Sequence, residues 1–160
     1  MKKIIYTIIL IAIFQFTSSC GYKPIFGNKD FSVKIVKHYI EGNQELGKTI
    51  LDGLNDLLPI KDNAKEVNIF IKTNKHKFVT NKASTGKAIE YKITLETEIK
   101  ITDSVSNEIL LEKNNILLSR KYKVQDQASD TDRLENNAIS NLIKQMNIKL
   151  IIKILQVGRI

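Results

Sequence analysis

Tyr91–Ile101 reads YKITLETEIKI, and the period of this stretch decides the fold. Tyr91, Ile93, Leu95, Thr97, Ile99 and Ile101 alternate with lysines, glutamates and Thr94, the pattern of a strand with one face on a core and the other in water. Upstream, Val67, Ile69 and Ile71 begin a second strand that runs to about Phe78 or Val79. A polar loop over Thr80–Lys87 joins the two. Downstream, Asp103–Asn107 has turn chemistry. Ile109–Tyr122 then returns as a strand whose apolar parity shifts near Asn114 and Asn115, which predicts a bulge or kink. Three strands adjacent in sequence form an antiparallel meander.

The flanking segments change period. Phe31, Val33 and Ile35 alternate as a half-buried strand. From Asn43, Leu46, Ile50, Leu54 and Leu57 or Leu58 mark one face of a helix that Pro59 stops. Gly47 and Gly53 lower its intrinsic stability, so packing on a sheet must hold it. Ser129, Asp130 and Asp132 supply caps and negative charge for a second helix. Its apolar face is Leu134, Ala138, Leu142 and Met146, and its far end, Ile148–Leu155, is apolar around most of its circumference. The expected fold is α+β: a two-layer sandwich in which a four-stranded, largely antiparallel sheet carries two helices on one face, in the order β-α-β-β-β-α. The other sheet face shows its Lys, Glu and Thr residues to water.

The amino terminus carries a different message. Met1, Lys2 and Lys3 precede an apolar run from Ile4 to Phe16, too short to span a bilayer comfortably, and then the small residues Thr17, Ser18 and Ser19. These are the three regions of a secretory signal. Cys20, the only cysteine, follows directly. Its setting resembles the lipobox of bacterial lipoproteins, which implies cleavage before Cys20 and acylation of its thiol. Two or three acyl chains would hold the protein at a membrane almost permanently, and Gly21 is not the Asp that retains lipoproteins at the inner membrane. The expected organisation is a lipoprotein signal peptide at 1–19, a lipidated tether at 20–30 and a single domain at 31–160.

Composition narrows the function classes. The net charge is +8, and loss of Lys2 and Lys3 leaves 23 basic against 17 acidic residues, or +6. A basic exported chain favours anionic lipid or glycolipid surfaces. Nucleic acid is not an expected partner, because export separates the two and the aromatic residues do not interleave with basic ones. Nothing points to an enzyme, a cofactor or a metal. His38 and His76 stand alone, and HExxH, paired-cysteine and GxSxG patterns are absent. Gly86 and Lys87 do not make a phosphate loop, since Asn81 takes the place of its first glycine and Ala88 that of its hydroxyl residue. Asp126, Asp130 and Asp132 are better explained by the helix dipole than by metal binding.

Several stretches together resemble a known family. Cys20, Gly21, Tyr22, Lys23, Pro24, Ile25, Phe26 and Gly27 are similar to the start of LptE, the small lipoprotein of the lipopolysaccharide transport machinery, in its alphaproteobacterial branch. Thr85–Tyr91 before a strand ending Ile101, Thr102, Asp103, then Ser119–Tyr122, then Gln127, Ala128, Asn137 and Ala138 in the last helix, extend the likeness. The resemblance implies a non-enzymatic lipoprotein on the periplasmic face of the outer membrane. It would plug, one to one, the β-barrel LptD that delivers lipopolysaccharide to the cell surface, and would assist assembly of that barrel. Direct contact with lipopolysaccharide is also implied. The basic run Lys72, Lys75, Lys77, Lys82 and Lys87 is the expected site, because several lysines near one hairpin end can meet several phosphates. The plain alternative is a solvated, lysine-rich loop. The competing function is a periplasm-facing lipoprotein that binds a cell-wall enzyme or a small hydrophobic ligand on the same fold.

Overall fold

The computed structural model describes residues 32–58 and 63–157. The elements are β1 (Val33–Gly42), α1 (Gln44–Leu57), β2 (Lys65–Lys82), β3 (Ala88–Asp103), β4 (Ile109–Lys123) and α2 (Ala128–Val157). They form a two-layer α+β sandwich with the expected order of elements. Cys20 and the segments expected as signal peptide (1–19) and tether (20–30) lie outside the described residues.

The sheet order is β1-β2-β3-β4. β2, β3 and β4 pair antiparallel, while β1 pairs parallel to β2, with α1 in the connection between them. Parallel neighbours require such a crossover. Asn43 caps α1 by accepting the Leu46 N–H at 3.0 Å. The preceding Gly42 has φ +80°, and a Cβ there would run into the Thr73 carbonyl, so this turn accepts only glycine without strain.

Both helices lie on the face presented by the odd-numbered residues of β2 and β3. Val67, Ile69, Ile71, Ile93, Leu95, Ile99 and Ile101 are buried there beneath Ile50, Leu51 and Leu54 of α1 and Ala138, Leu142, Met146, Leu150 and Ile154 of α2. Full burial of each such aliphatic side chain contributes about 1.5–3 kcal/mol. Thr73 and Thr97 interrupt this apolar layer, fully buried, and satisfy each other across β2 and β3 at 3.1 Å. Gly53 sets how closely α1 meets α2, because a Cβ at that position would collide with the Asn147 side-chain amide.

Besides the register shifts at the hairpin end of β2 and β3 and at the start of β4, two breaks within the strands depart from the simple alternation. In β4, Ile99 pairs with Asn114 but Ile101 with Leu111, so Glu112 and Lys113 together oppose Lys100. The expected break therefore lies just before Asn114. In β1, a bulge at Val36 reverses parity: Val33 and Ile35 face the helices, whereas Lys37 and Tyr39 face the open side. The alternation at the start of β1 gave no sign of that reversal.

β2 is longer than its apolar pattern indicates. It continues past Val79 to Lys82, so the loop contracts from the expected Thr80–Lys87 to Ala83–Lys87. Pairing with β3 carries it on, since Val79 opposes Tyr91 and Lys82 opposes Ala88. Backbone hydrogen bonds extend a ladder after the buried side chains have ended. At the start of α2, Ser129 and Asp130 fall inside the first turn and Asp132 just after it, so none of the three stands ahead of the helix as its cap. Asp130 meets Arg133 at 3.2 Å, and Thr131 Oγ1 accepts the Gln125 N–H at 2.9 Å.

Candidate functional site

The five lysines singled out from sequence divide by position along β2. Lys75 and Lys77 follow the parity of Val67 and Ile71 and lie on the helix-bearing face, whereas Lys72 lies on the open face. Lys82 and Lys87 flank the β2–β3 hairpin loop. They do not converge on one point.

Lys77 is held within the fold. Its Nζ donates to Glu135 Oε2 at 2.5 Å, and Tyr122 Oη donates to the same oxygen at 2.6 Å. The Tyr91 and Tyr122 rings stack with centroids 5.7 Å apart, and Lys77 Nζ sits 4.5 Å from the Tyr91 centroid. This clasp joins β2, β3 and β4 to the first turns of α2. Its geometry fixes three titrations. The hydrogen bond to Glu135 raises Lys77 above the usual lysine range, against the opposing effect of burial. Burial pushes Tyr122 up to about 12, and its hydrogen bond to Glu135 adds to the shift. Burial alone would raise Glu135, but hydrogen bonds from Lys77 and Tyr122, with the charges of Lys77 and Lys75, outweigh it and hold the carboxyl below its usual range.

Lys72 is also engaged, donating to Glu41 Oε1 at 2.6 Å. That hydrogen bond, with the Glu41 charge, raises its pKa. Among the described residues, Lys75, Lys82 and Lys87 have no carboxylate within ion-pair distance. Only these three keep their ammonium groups for an outside anion. Sequence spacing brought all five together; the pleat of β2 and Glu135, 58 positions away from Lys77, separates them.

The open face carries a cleft that the sequence did not point to. It has a volume of about 580 Å³ and is lined by Lys37 and Tyr39 of β1, Asn68 and Phe70 of β2, Lys100 of β3 and Lys113 of β4. Two cross-strand rows build it: Tyr39 opposes Phe70, which opposes Lys100, and Lys37 opposes Asn68, which opposes Thr102. The Val36 bulge brings Lys37 and Tyr39 to this side. Lys113, in the second bulge, reaches Glu98 Oε1 at 3.2 Å without hydrogen-bond geometry. No contiguous motif announces the cleft, because it is assembled from four strands and two register breaks.

Among the described residues no group of His, Cys, Asp and Glu could hold a metal ion, and no helix is long and apolar enough to cross a membrane. Neither the family models nor the curated proteins contain a match to this chain. Solved structures do resemble it. A "putative lipoprotein" from Caulobacter crescentus superposes with a TM-score of 0.57 at 13% identity, over 76% of this chain and 88% of that one. Lipoprotein B from Nitrosomonas europaea gives 0.53 at 14% identity, over 73% and 81%, and a minor lipoprotein from Acinetobacter baumannii gives 0.52 at 12% identity, over 77% and 94%. At these identities the likeness establishes a shared fold.

Proposed function

We propose that this chain is a lipoprotein of the LptE type, anchored through Cys20 to the periplasmic face of the outer membrane. There it plugs the LptD β-barrel and assists its assembly in lipopolysaccharide transport. The observation that carries the reading is the fold, which spans most of each of three structures described as lipoproteins. Cys20, directly after a signal-like segment, agrees with it. Fold likeness does not by itself assign function, so the Cys20–Gly27 start and the later stretches similar to LptE supply the specific reading.

The physical fit comes from the open sheet face. Glu90 pairs with Lys121 at 3.0 Å, Glu96 with Asn115 at 2.7 Å and Glu41 with Lys72 at 2.6 Å. Such pairs, with Tyr39, Phe78 and Leu117 exposed among them, suit the polar lumen of a large barrel better than a uniformly apolar face would. The role is steric and scaffolding, with no chemical step. Lys75, Lys82 and Lys87 are the lysines available to the phosphates of lipopolysaccharide in transit.

Affinity purification of the full chain from native membranes tests this. Recovery of a large outer-membrane β-barrel at one copy per copy of this chain is the expected result. Recovery of a peptidoglycan synthase, or of the chain alone, overturns it. Mass spectrometry of the mature amino terminus should find an acylated Cys20.

A further inference from the structure

We propose that the outward stripe of α2 rests on an anionic phospholipid surface, with Ile148 and Ile152 at the headgroup boundary and Lys144, Lys149 and Lys153 beside them. The contact belongs to the chain free of any barrel. It requires no lipid on Cys20.

Three observations converge. First, α2 has a second apolar stripe. Its inner side is taken up by the core through Ala138, Leu142, Met146, Leu150 and Ile154. Lys144, Ile148, Ile152 and Leu155 follow one another at intervals of four, four and three residues, which aligns them on the outward side. Ile148 is 54% exposed and Ile152 40%. They are the part of the apolar Ile148–Leu155 end that the core does not use.

Second, the charge around this stripe has one sign. Positions 136–157 contain three lysines and no aspartate or glutamate. Among the described residues Lys144, Lys149 and Lys153 have no carboxylate within ion-pair distance, and neither has Arg120, which opposes the buried Ile93 and so projects from the same helix-bearing side of β4. The acidic residues of the helix layer stand elsewhere: Glu45, Asp52 and Asp56 on α1, and Asp130, Asp132 and Glu135 in the first turns of α2. They confine the attraction for an anionic surface to the carboxy-terminal half of α2.

Third, the apolar area suits lipid better than a second copy. Each partner in a stable protein interface gives up about 800 Å². The exposed parts of two isoleucines fall far short of that. A fluid headgroup layer demands no matching shape: the isoleucines enter the acyl boundary, the lysine stems lie along it and their ammonium groups stay among the phosphates. No helix among the described residues is long and apolar enough to cross a membrane, so the helix lies on the surface.

The test exploits the lack of tryptophan in this chain. Ile152→Trp and, separately, Gln145→Trp, an exposed position on the same side, place a fluorescent reporter on the outward stripe. Leu117→Trp, 63% exposed on the open sheet face, is the control. The full chain is bound to phosphatidylcholine vesicles with or without phosphatidylglycerol, part of the phosphatidylcholine being brominated on its acyl chains. Both α2 reporters should be quenched, with a docked-to-undocked ratio about tenfold or more higher when phosphatidylglycerol is present, and Leu117→Trp should not be quenched. Adding Lys144→Gln, Lys149→Gln and Lys153→Gln together to Ile152→Trp should lower the ratio by about tenfold or more, and high salt should lower it as well. A vesicle-bound chain in which neither α2 reporter is quenched overturns the contact and leaves the Cys20 anchor standing. Equal quenching at Leu117→Trp, or undiminished quenching without the three lysines, overturns it too. A blue shift of Ile152→Trp that grows with protein concentration in the absence of lipid overturns it in favour of a second copy.

Discussion

Replacing Glu135 with Gln should lower stability by about 1 kcal/mol at neutral pH, and the loss should vanish in acid. The substitution keeps the size and one acceptor oxygen but removes the charge that serves both Lys77 and Tyr122. Hydrogen bonds to charged groups contribute about 1.5–3 kcal/mol and neutral ones about 0.5–1.5, so two weakened bonds suggest a loss near 2 kcal/mol. The Lys77 side chain is 40% exposed against 16% for Glu135, and solvent screening of that half of the pair reduces the figure to about 1. For a domain of this size that corresponds to roughly 3–5 °C in the melting temperature. The pH dependence follows from the depressed carboxyl. Its contribution is present above the unfolded glutamate value near 4.5 and is lost as pH falls through the lower folded value. Lys77, raised when folded, contributes below about 10.5 and loses that contribution only as pH rises through its folded value. The clasp therefore operates fully between roughly pH 5 and 10. Urea unfolding of both proteins at pH 7 and pH 3 measures the gap. A gap of the same size at both values, or none at pH 7, refutes the account.

Other substitutions probe the packing and the hairpin. Gly42→Ala forces a side chain into a positive-φ turn against the Thr73 carbonyl and should cost about 1–3 kcal/mol in denaturant unfolding. Gly53→Ala should cost a similar amount, about 1–3 kcal/mol, by driving α1 from Asn147, and pairing it with Asn147→Gly should recover part of the loss. Ile99→Ala, at a site with no exposed surface, should cost about 2–5 kcal/mol and shift the urea midpoint without changing the slope. Changing Lys82 and Lys87 together to Glu, at the hairpin end away from the Glu135 clasp, should leave the melting temperature nearly unchanged while reducing capture of lipopolysaccharide micelles. Undiminished capture would remove the hairpin lysines from the proposed route.

What the sequence disclosed follows from how local each signal is. The alternation of Tyr91–Ile101 and the helical spacing of Ile50 and Leu54 are set by neighbours a few residues away, and both appear in the structure as read. The break in β4 was visible because its apolar parity changes within one strand. The bulge at Val36 was not, since Lys37 and Tyr39 are as compatible with a strand end as with a reversed face. The length of β2 beyond Val79 depends on backbone pairing with β3, which leaves no hydrophobic trace. The hairpin lysines show the same limit. Adjacent charges in a chain look like one patch, but Lys77 finds its carboxylate on α2 and Lys72 finds its own on β1. The cleft was the least legible feature, because its cations lie 63 and 13 positions apart and meet only through register.

The two bulges have a further consequence at the margins of the sheet. β1 and β4 are its outermost strands, and each is interrupted, at Val36 and at Glu112–Lys113. A strand from another molecule aligning along either margin would find its ladder of hydrogen bonds broken partway. It would also meet Lys34 and Lys37 on one side, or Lys113, Arg120, Lys121 and Lys123 on the other, and would have to desolvate them. A four-stranded sheet with open ends is otherwise a template for runaway stacking into fibrils. Here the same irregularities that shape the cleft make both ends poor seeds for that growth.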